Sequence, residues 1–208
     1  MLVKARRRGI SIRLDGANMR CRRCTGSSGG VFSGAGLSRE DSGPLATKFL
    51  GRALMARRLL FKARLAEQDK THPGYAAKFR RLSKLMLAAA GGEEVVPHQE
   101  PDGFIDALLK NGKLLQPAAV AIKRMTASDC HGNAATLFRA GKGMIATGYA
   151  LDEDGLWRQH SWVVDSKRRV IETTVRRKAY YGIVCDETGS GLLADLFLRV
   201  TTEKKGGH

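Results

Sequence analysis

Residues 144–175 read MIATGYALDEDGLWRQHSWVVDSKRRVIETTV. Three runs rich in β-branched, aromatic and small apolar residues, 144–151, 157–164 and 169–175, are separated by two polar turns. The turns are Asp152-Glu153-Asp154-Gly155 and Asp165-Ser166-Lys167-Arg168. Runs of this length and composition between Asp/Gly/Ser clusters predict consecutive antiparallel strands. A fourth strand is expected over 181–185. Working outward toward the N-terminus, the period changes from two to about 3.6. Leu45, Phe49, Leu50, Leu54, Leu60, Phe61 and Leu65 recur at helical spacing and predict a helix over about 44–68. Thr71-His72-Pro73-Gly74 breaks it, and Pro73 is placed to start a second helix over about 73–90. A short helix over 104–110 stops at Asn111-Gly112. Residues 120–125 read equally as a buried strand or a short helix. Residues 130–140 form a helix that ends at Gly141 or Gly143. Helices followed by a run of antiparallel strands define an α+β fold.

Charge divides the chain. The net charge of +16 comes almost wholly from residues 1–90, which hold 20 Lys/Arg against 5 Asp/Glu, while residues 91–208 hold 16 against 15. Three regions are expected: a basic Gly/Ser-rich flexible tail over 1–43, a basic helical subdomain over 44–92, and a nearly neutral chemical domain over 93–208. The basic part suits nonspecific attraction to nucleic acid or another acidic partner. Its aromatics Phe49, Phe61, Tyr75 and Phe79 are spaced as core residues and do not form a base-stacking platform. With no run of roughly 18 or more apolar residues, no membrane span is expected. Four scattered cysteines, at 21, 24, 130 and 185, do not make a disulfide scaffold. A reducing, cytoplasmic setting is therefore expected. Cys21-Arg22-Arg23-Cys24 has the spacing of half a zinc site but lacks a second pair of ligands nearby, so no metal and no cofactor is expected.

The chemistry-bearing residues are Cys130, His160 and Glu172. Ser128 or Asp129 is a good N-cap, which places Cys130 in the first turn of its helix, where unpaired amides and the helix dipole favour a thiolate. Strand alternation puts His160, Trp162 and Val164 on one face. His131 is a rival base, but consecutive residues on a helix diverge by about 100°, so His160 is better placed for the thiol. Two acids compete to orient the imidazole. A two-residue hairpin loop would turn Glu172 away from His160. A three-residue loop, Ser166-Lys167-Arg168, would oppose Glu172 to Trp162 and leave it diagonal to His160 on the same face. Asp165 has the wrong parity within one straight strand, so an odd loop or a bulge with Glu172 as orienter is expected. Each residue also has a plainer role: a small buried Cys, a His packed on Trp, a solvated Glu.

The series Cys130-x-x-Asn133-Ala134, Gly148-Tyr149-Ala150, His160-Ser161-Trp162 and Ile171-Glu172-Thr173-Thr174 resembles the transglutaminase-like branch of the papain-like cysteine enzymes. The likeness covers about residues 120–185. Two departures stand out: Glu172-Thr173 replaces the family's Asp-Pro, and His131 directly follows the Cys. The resemblance implies a helix carrying the Cys packed on an antiparallel sheet. It also implies attack by the thiolate on the amide bond of a protein or peptide substrate, through a thioester, as in peptidases, amidases, deamidases and transglutaminases. Candidate oxyanion or substrate-binding residues are Gln116, Trp162 and Tyr181. The alternative is a non-catalytic basic protein that docks to nucleic acid or another anionic partner through residues 1–90.

Overall fold

A computed structural model describes residues 2–5, 10–13, 44–115 and 120–205. Two strands, β1 (Leu2–Ala5) and β2 (Ile10–Arg13), form an antiparallel ladder. Part of the stretch expected as a flexible tail thus has strand backbone; the remainder of 1–43, with Cys21 and Cys24, lies outside the described residues.

Helix α1 (Pro44–Thr71) and helix α2 (Tyr75–Ala90) flank the break at 72–74. The second helix starts two residues later than Pro73 suggests. Gly74 turns with φ +85°, and the Asp69 carboxylate accepts the Ala76 amide at 2.8 Å, satisfying a first-turn donor from the preceding helix. Tyr75, Phe79, Leu82 and Met86 recur along one face of α2 and are buried. They join one core with Tyr149, Leu151 and Trp157 of the sheet. α1 buries Phe61, packs Leu65 on the core and is tied by polar side chains: Arg64 donates to the Pro97 carbonyl and Gln68 to that of His98, each at 2.7 Å.

The remaining elements are β3 (Glu94–Val95), α3 (Ile105–Asn111), β4 (Lys113–Leu115), β5 (Val120–Ile122), α4 (Cys130–Arg139), β6 (Met144–Leu151), β7 (Leu156–Val164), β8 (Val170–Glu172), β9 (Ala179–Val184) and α5 (Glu187–Lys205). The fold is mixed α+β. Strands run in the order β4-β9-β6-β7-β8-β5, with β3 added in parallel to the start of β7. The three central pairings, β9-β6, β6-β7 and β7-β8, are antiparallel, whereas β5 lies parallel to β8. Residues 120–122 are thereby settled as a strand. α5 was not expected from the sequence; Leu193, Ala194 and Phe197 are buried in the core that includes Ala134 and Leu137 of α4.

The sheet is curled, and chain length requires it. β4 and β5 are its two edges, yet Leu115 and Val120 are five residues apart and can be separated by at most about 18 Å. Six flat strands would set the edges about 24 Å apart. Leu115 and Val120 both pack on the same inner cluster, formed by Ala146, Ala150, Trp162, Val170 and Tyr180. The helices cover the opposite, outer face. The inner face carries His160, Trp162, Glu172 and Tyr180.

Candidate active site

Cys130 is the first residue of α4, and the local sequence fixes the turn that delivers it. The chain beyond β5 continues along β8, with the Lys123 amide bonded to the Glu172 carbonyl at 2.8 Å and that of Met125 to Thr173 at 3.0 Å. Ser128 then adopts the left-handed conformation, φ +61°, and Asp129 caps the helix by accepting the Gly132 amide at 3.2 Å. A Cβ on Gly132 would lie 2.4 Å from the Asp129 carboxylate, so the cap depends on glycine there. Asn133 ties the helix back by donating to the Thr126 carbonyl at 2.7 Å.

The N-terminus of α4 meets β7 next to His160. β3 pairs with β7 only at Leu156 and Trp157, and β8 at Val163 and Val164, with Glu172 next along that strand. Among the described residues no strand pairs with the stretch of that edge around His160. Here His131 Nδ1 lies 2.7 Å from Ser161 Oγ, whose hydroxyl donates to Thr147 Oγ1 at 3.0 Å. The His131 ring rests on Phe197 of α5, 4.6 Å between centroids. His131 is thus engaged on the outer face while its neighbour Cys130 is wholly buried.

His160 and Glu172 are brought together directly. Asp165 and Arg169 close the hairpin, with Arg168 in the left-handed region (φ +60°), so the loop holds three residues. The register Val163↔Ile171 and Val164↔Val170 then places Glu172 opposite Trp162 on the next rung. His160 Nε2 lies 2.9 Å from Glu172 Oε2, and both side chains are buried. Asp165, the other candidate, binds the Lys167 and Arg169 amides and the Arg169 guanidinium, all within the turn.

Glu172 is saturated with donors. Oε1 accepts the Thr173 amide, the Thr174 amide and the Thr174 hydroxyl, each at 2.8 Å; Oε2 accepts from His160 and from the Tyr180 hydroxyl at 3.1 Å. Burial by itself raises the carboxyl pKa, but the bond and charge of His160 together with the Thr174 donors outweigh it, and the net displacement is downward. Tyr180 moves the other way: burial, then the adjacent Glu172 charge, hold its phenol protonated as a fixed donor. An ionised Glu172 can only accept, so Nε2 of His160 carries the hydrogen in this bond. Proton exchange between the imidazole and any other group runs through Nδ1.

Trp162 shares this inner face. Its ring is stacked at 6.2 Å and 19° to His160 and tilted at 4.9 Å to Tyr180. Room for it is made at Gly182, where a Cβ would fall 2.7 Å from the indole and 2.4 Å from the Thr147 carbonyl oxygen. The Trp162 Nε1 is buried and has no hydrogen-bond partner among the described residues.

Among the other candidates, Tyr181 is not brought to this face. Tyr181 alternates to the outer side, packs in the helical core and donates to the Leu108 carbonyl at 3.3 Å. Its neighbour Tyr180 takes the place beside Glu172. Choosing between them needs the β6–β9 register, Gly148↔Gly182, which no local pattern reveals. Gln116 lies outside the described residues. Thr174, quoted only within the Ile171–Thr174 motif, and Arg177 were given no role from the sequence; a turn Thr and an Arg between strands carry no distinctive spacing.

Among the described residues no His/Cys/Asp/Glu group is arranged to hold a metal ion, and no helix is long and apolar enough to cross a membrane. No protein-family model, curated protein or solved structure matches this chain.

Proposed function

We propose that this chain is a cysteine-dependent acyl-transfer enzyme with a papain-like or transglutaminase-like fold, acting on amide bonds through Cys130, His160 and Glu172. The observation that carries the proposal is the buried His160–Glu172 bond on β7 and β8, taken with a buried cysteine at the first position of the helix that packs on β7 at Ser161. A saturated carboxylate on Nε2 fixes one tautomer and leaves Nδ1 to handle the proton of the nucleophile.

In the first half-reaction the Cys130 thiol proton passes to Nδ1 of His160 and the sulfur forms a bond to the substrate carbonyl carbon. The carbonyl π pair moves onto oxygen. When that pair returns, the C–N bond breaks, and the imidazolium proton leaves with the amine, giving a thioester. Water or a second amine then attacks the thioester carbon, His160 takes its proton, and the thiolate departs. Donors for the oxyanion would be the Cys130 amide and a side chain; Trp162 Nε1, buried without a partner among the described residues, is a candidate. Cys130, His160 and Glu172 are each no more than 1% exposed, so an opening motion must precede acylation. A catalytic thiol suits a reducing compartment such as the cytoplasm.

The test is an electrophilic peptide-amide probe incubated with the whole chain, with the adduct mapped by mass spectrometry. An adduct on Cys130, lost in His160→Ala, is the expected result. Modification of Cys21 or Cys24 with Cys130 untouched would sink the proposal.

A second reading is favoured by the outward face of α1. Met55, Leu59 and Leu60 are 60%, 64% and 55% exposed beside exposed Arg58 and Lys62. Cations bordering unburied apolar side chains suit an anionic partner. Salt-sensitive retention on a polyanion column, weakened by Arg58→Glu with Lys62→Glu, would support it; salt-independent elution would exclude it.

A further inference from the structure

We propose that Arg177 is a positioning residue for the His160–Glu172 pair, acting through the hydroxyl of Thr174 and anchored from behind by Asp152. The inference rests on the acyl-transfer reading above and deepens it.

Arg177 lies between β8 and β9 with its side chain 5% exposed. A guanidinium has donors only. Its Nη2, 3.3 Å from Thr174 Oγ1, must therefore donate to that oxygen. Thr174 has a single hydroxyl hydrogen, and with Arg177 on its lone pair the hydrogen is directed to Glu172 Oε1 at 2.8 Å. Oε1 is thereby held from three sides, which turns Oε2 toward His160 and Tyr180. Asp152, the residue after β6, forms an ion pair with Arg177 and also with Arg158 of β7. Asp152–Arg177–Thr174–Glu172–His160 is thus a continuous series from a surface turn to the imidazole.

The electrostatics run the same way. A buried cation one hydroxyl away from a buried carboxylate favours its anion and polarises the intervening O–H toward it. Among the described residues, the charged or titratable groups bonded to Glu172 are His160 on β7 and Tyr180 on β9, and Arg177, in the loop between β8 and β9, reaches it through Thr174. Of these, Arg177 is the cation joined to Glu172 through a hydroxyl.

An ion pair that merely closed the turns around 152 and 177 would affect stability and nothing else. The relay predicts more. In the full-length chain, Glu172 is followed by carboxyl-carbon NMR across acid pH, in parallel with the pH profile of Cys130 alkylation. Arg177→Met should raise the Glu172 midpoint by about one pH unit. It should also slow alkylation at neutral pH by about tenfold. Thr174→Val keeps the shape, removes only the hydroxyl, and should do the same. The double variant should go no further than the larger single change, because both break one series. Should Arg177→Met fail to fold, Thr174→Val alone decides. An unmoved Glu172 midpoint in either folded variant, or additive effects in the double, overturns the relay. If instead wild-type Cys130 reacts no faster than an ordinary thiol, the enzyme reading itself falls and takes the positioning role with it. The two failures are read from different measurements.

Discussion

His160 and Glu172, twelve residues apart on adjacent strands, share a 2.9 Å hydrogen bond because the hairpin between them turns on three residues. Had the loop held two, the side-chain period of two would have put the carboxylate on the helical face. The consequences of that bond, and of the packing around it, can each be measured.

Cys130 and Cys185 should differ sharply as nucleophiles. Both are buried. Burial, with the adjacent Asp186 charge, pushes Cys185 up to about 12, so it should stay unmodified in the folded protein at any pH below 10. Cys130 should take up iodoacetamide well below pH 8, at a rate set partly by opening of the site. Peptide mapping after brief labelling at pH 6.5 separates the two, and the opposite order of reactivity would contradict the proposed site.

Glu172→Gln should disable the histidine with little change in shape. The amide nitrogen cannot face the three donors at Oε1, so it must replace Oε2 and donate toward His160 Nε2. That forces the imidazole hydrogen onto Nδ1, the nitrogen that acts as base in the proposed reaction. A loss of roughly 10²-fold or more in Cys130 acylation is expected, with about 1–3 kcal/mol of stability lost as well. Imidazole nitrogen shifts would report the tautomer directly.

Acid should destabilise the native state through the same carboxylate. A folded-state pKa below the unfolded value means that the unfolded chain binds the proton more readily. The contribution of Glu172 is therefore complete above about pH 4.3 and is lost as pH falls through the depressed folded value. Urea unfolding between pH 2 and pH 7 should show this slope in wild type and a flatter curve in Glu172→Gln.

Asp102 should behave in the opposite sense. Burial raises its pKa, outweighing the bonds from the Phe104 amide at 2.8 Å and the Tyr149 hydroxyl at 3.4 Å. The folded state then binds the proton more tightly, so the Asp102 contribution is fullest below about pH 3.9 and declines as pH rises through the folded value. Asp102→Asn keeps the Phe104 bond on its oxygen and lets its Nδ2 donate to the Tyr149 oxygen, without the charge. It should match or exceed wild-type stability at pH 8 and lose that advantage in acid.

Gly182→Ala tests the inner packing. The added methyl meets the Thr147 carbonyl oxygen at 2.4 Å and the Trp162 ring at 2.7 Å, and the first is rigid backbone. A loss above about 3 kcal/mol, with His160 displaced through Trp162, is expected. A variant that melted like wild type would show that this face is looser than the contacts imply.

Much of this was legible in the sequence, for local reasons. Hydrophobic period and turn residues located α2, α4, β6 and β7 to within a residue or two, because helix caps and strand alternation are short-range properties. β8 ended early, at Glu172 and not near Val175, because Thr173 and Thr174 turn their amides onto the Glu172 carboxylate instead of extending the ladder. The strand at 120–122 was ambiguous until it paired with β8, since three apolar residues fit either period. α5 escaped notice because its polar and small residues mask a stripe that becomes apolar only against α4.

By itself the sequence determined an α+β chain with a capped cysteine at a helix start, and a histidine and an acid on consecutive strands whose parity could agree. Tertiary structure decided which parity held, that Tyr180 and not Tyr181 attends the carboxylate, and that Arg177 reaches it through Thr174. The physical reason is range. Periodicity and capping act within a turn or a strand, whereas register between strands, curling of the sheet and the burial that gives a charge its influence exist only once distant segments have closed on one another.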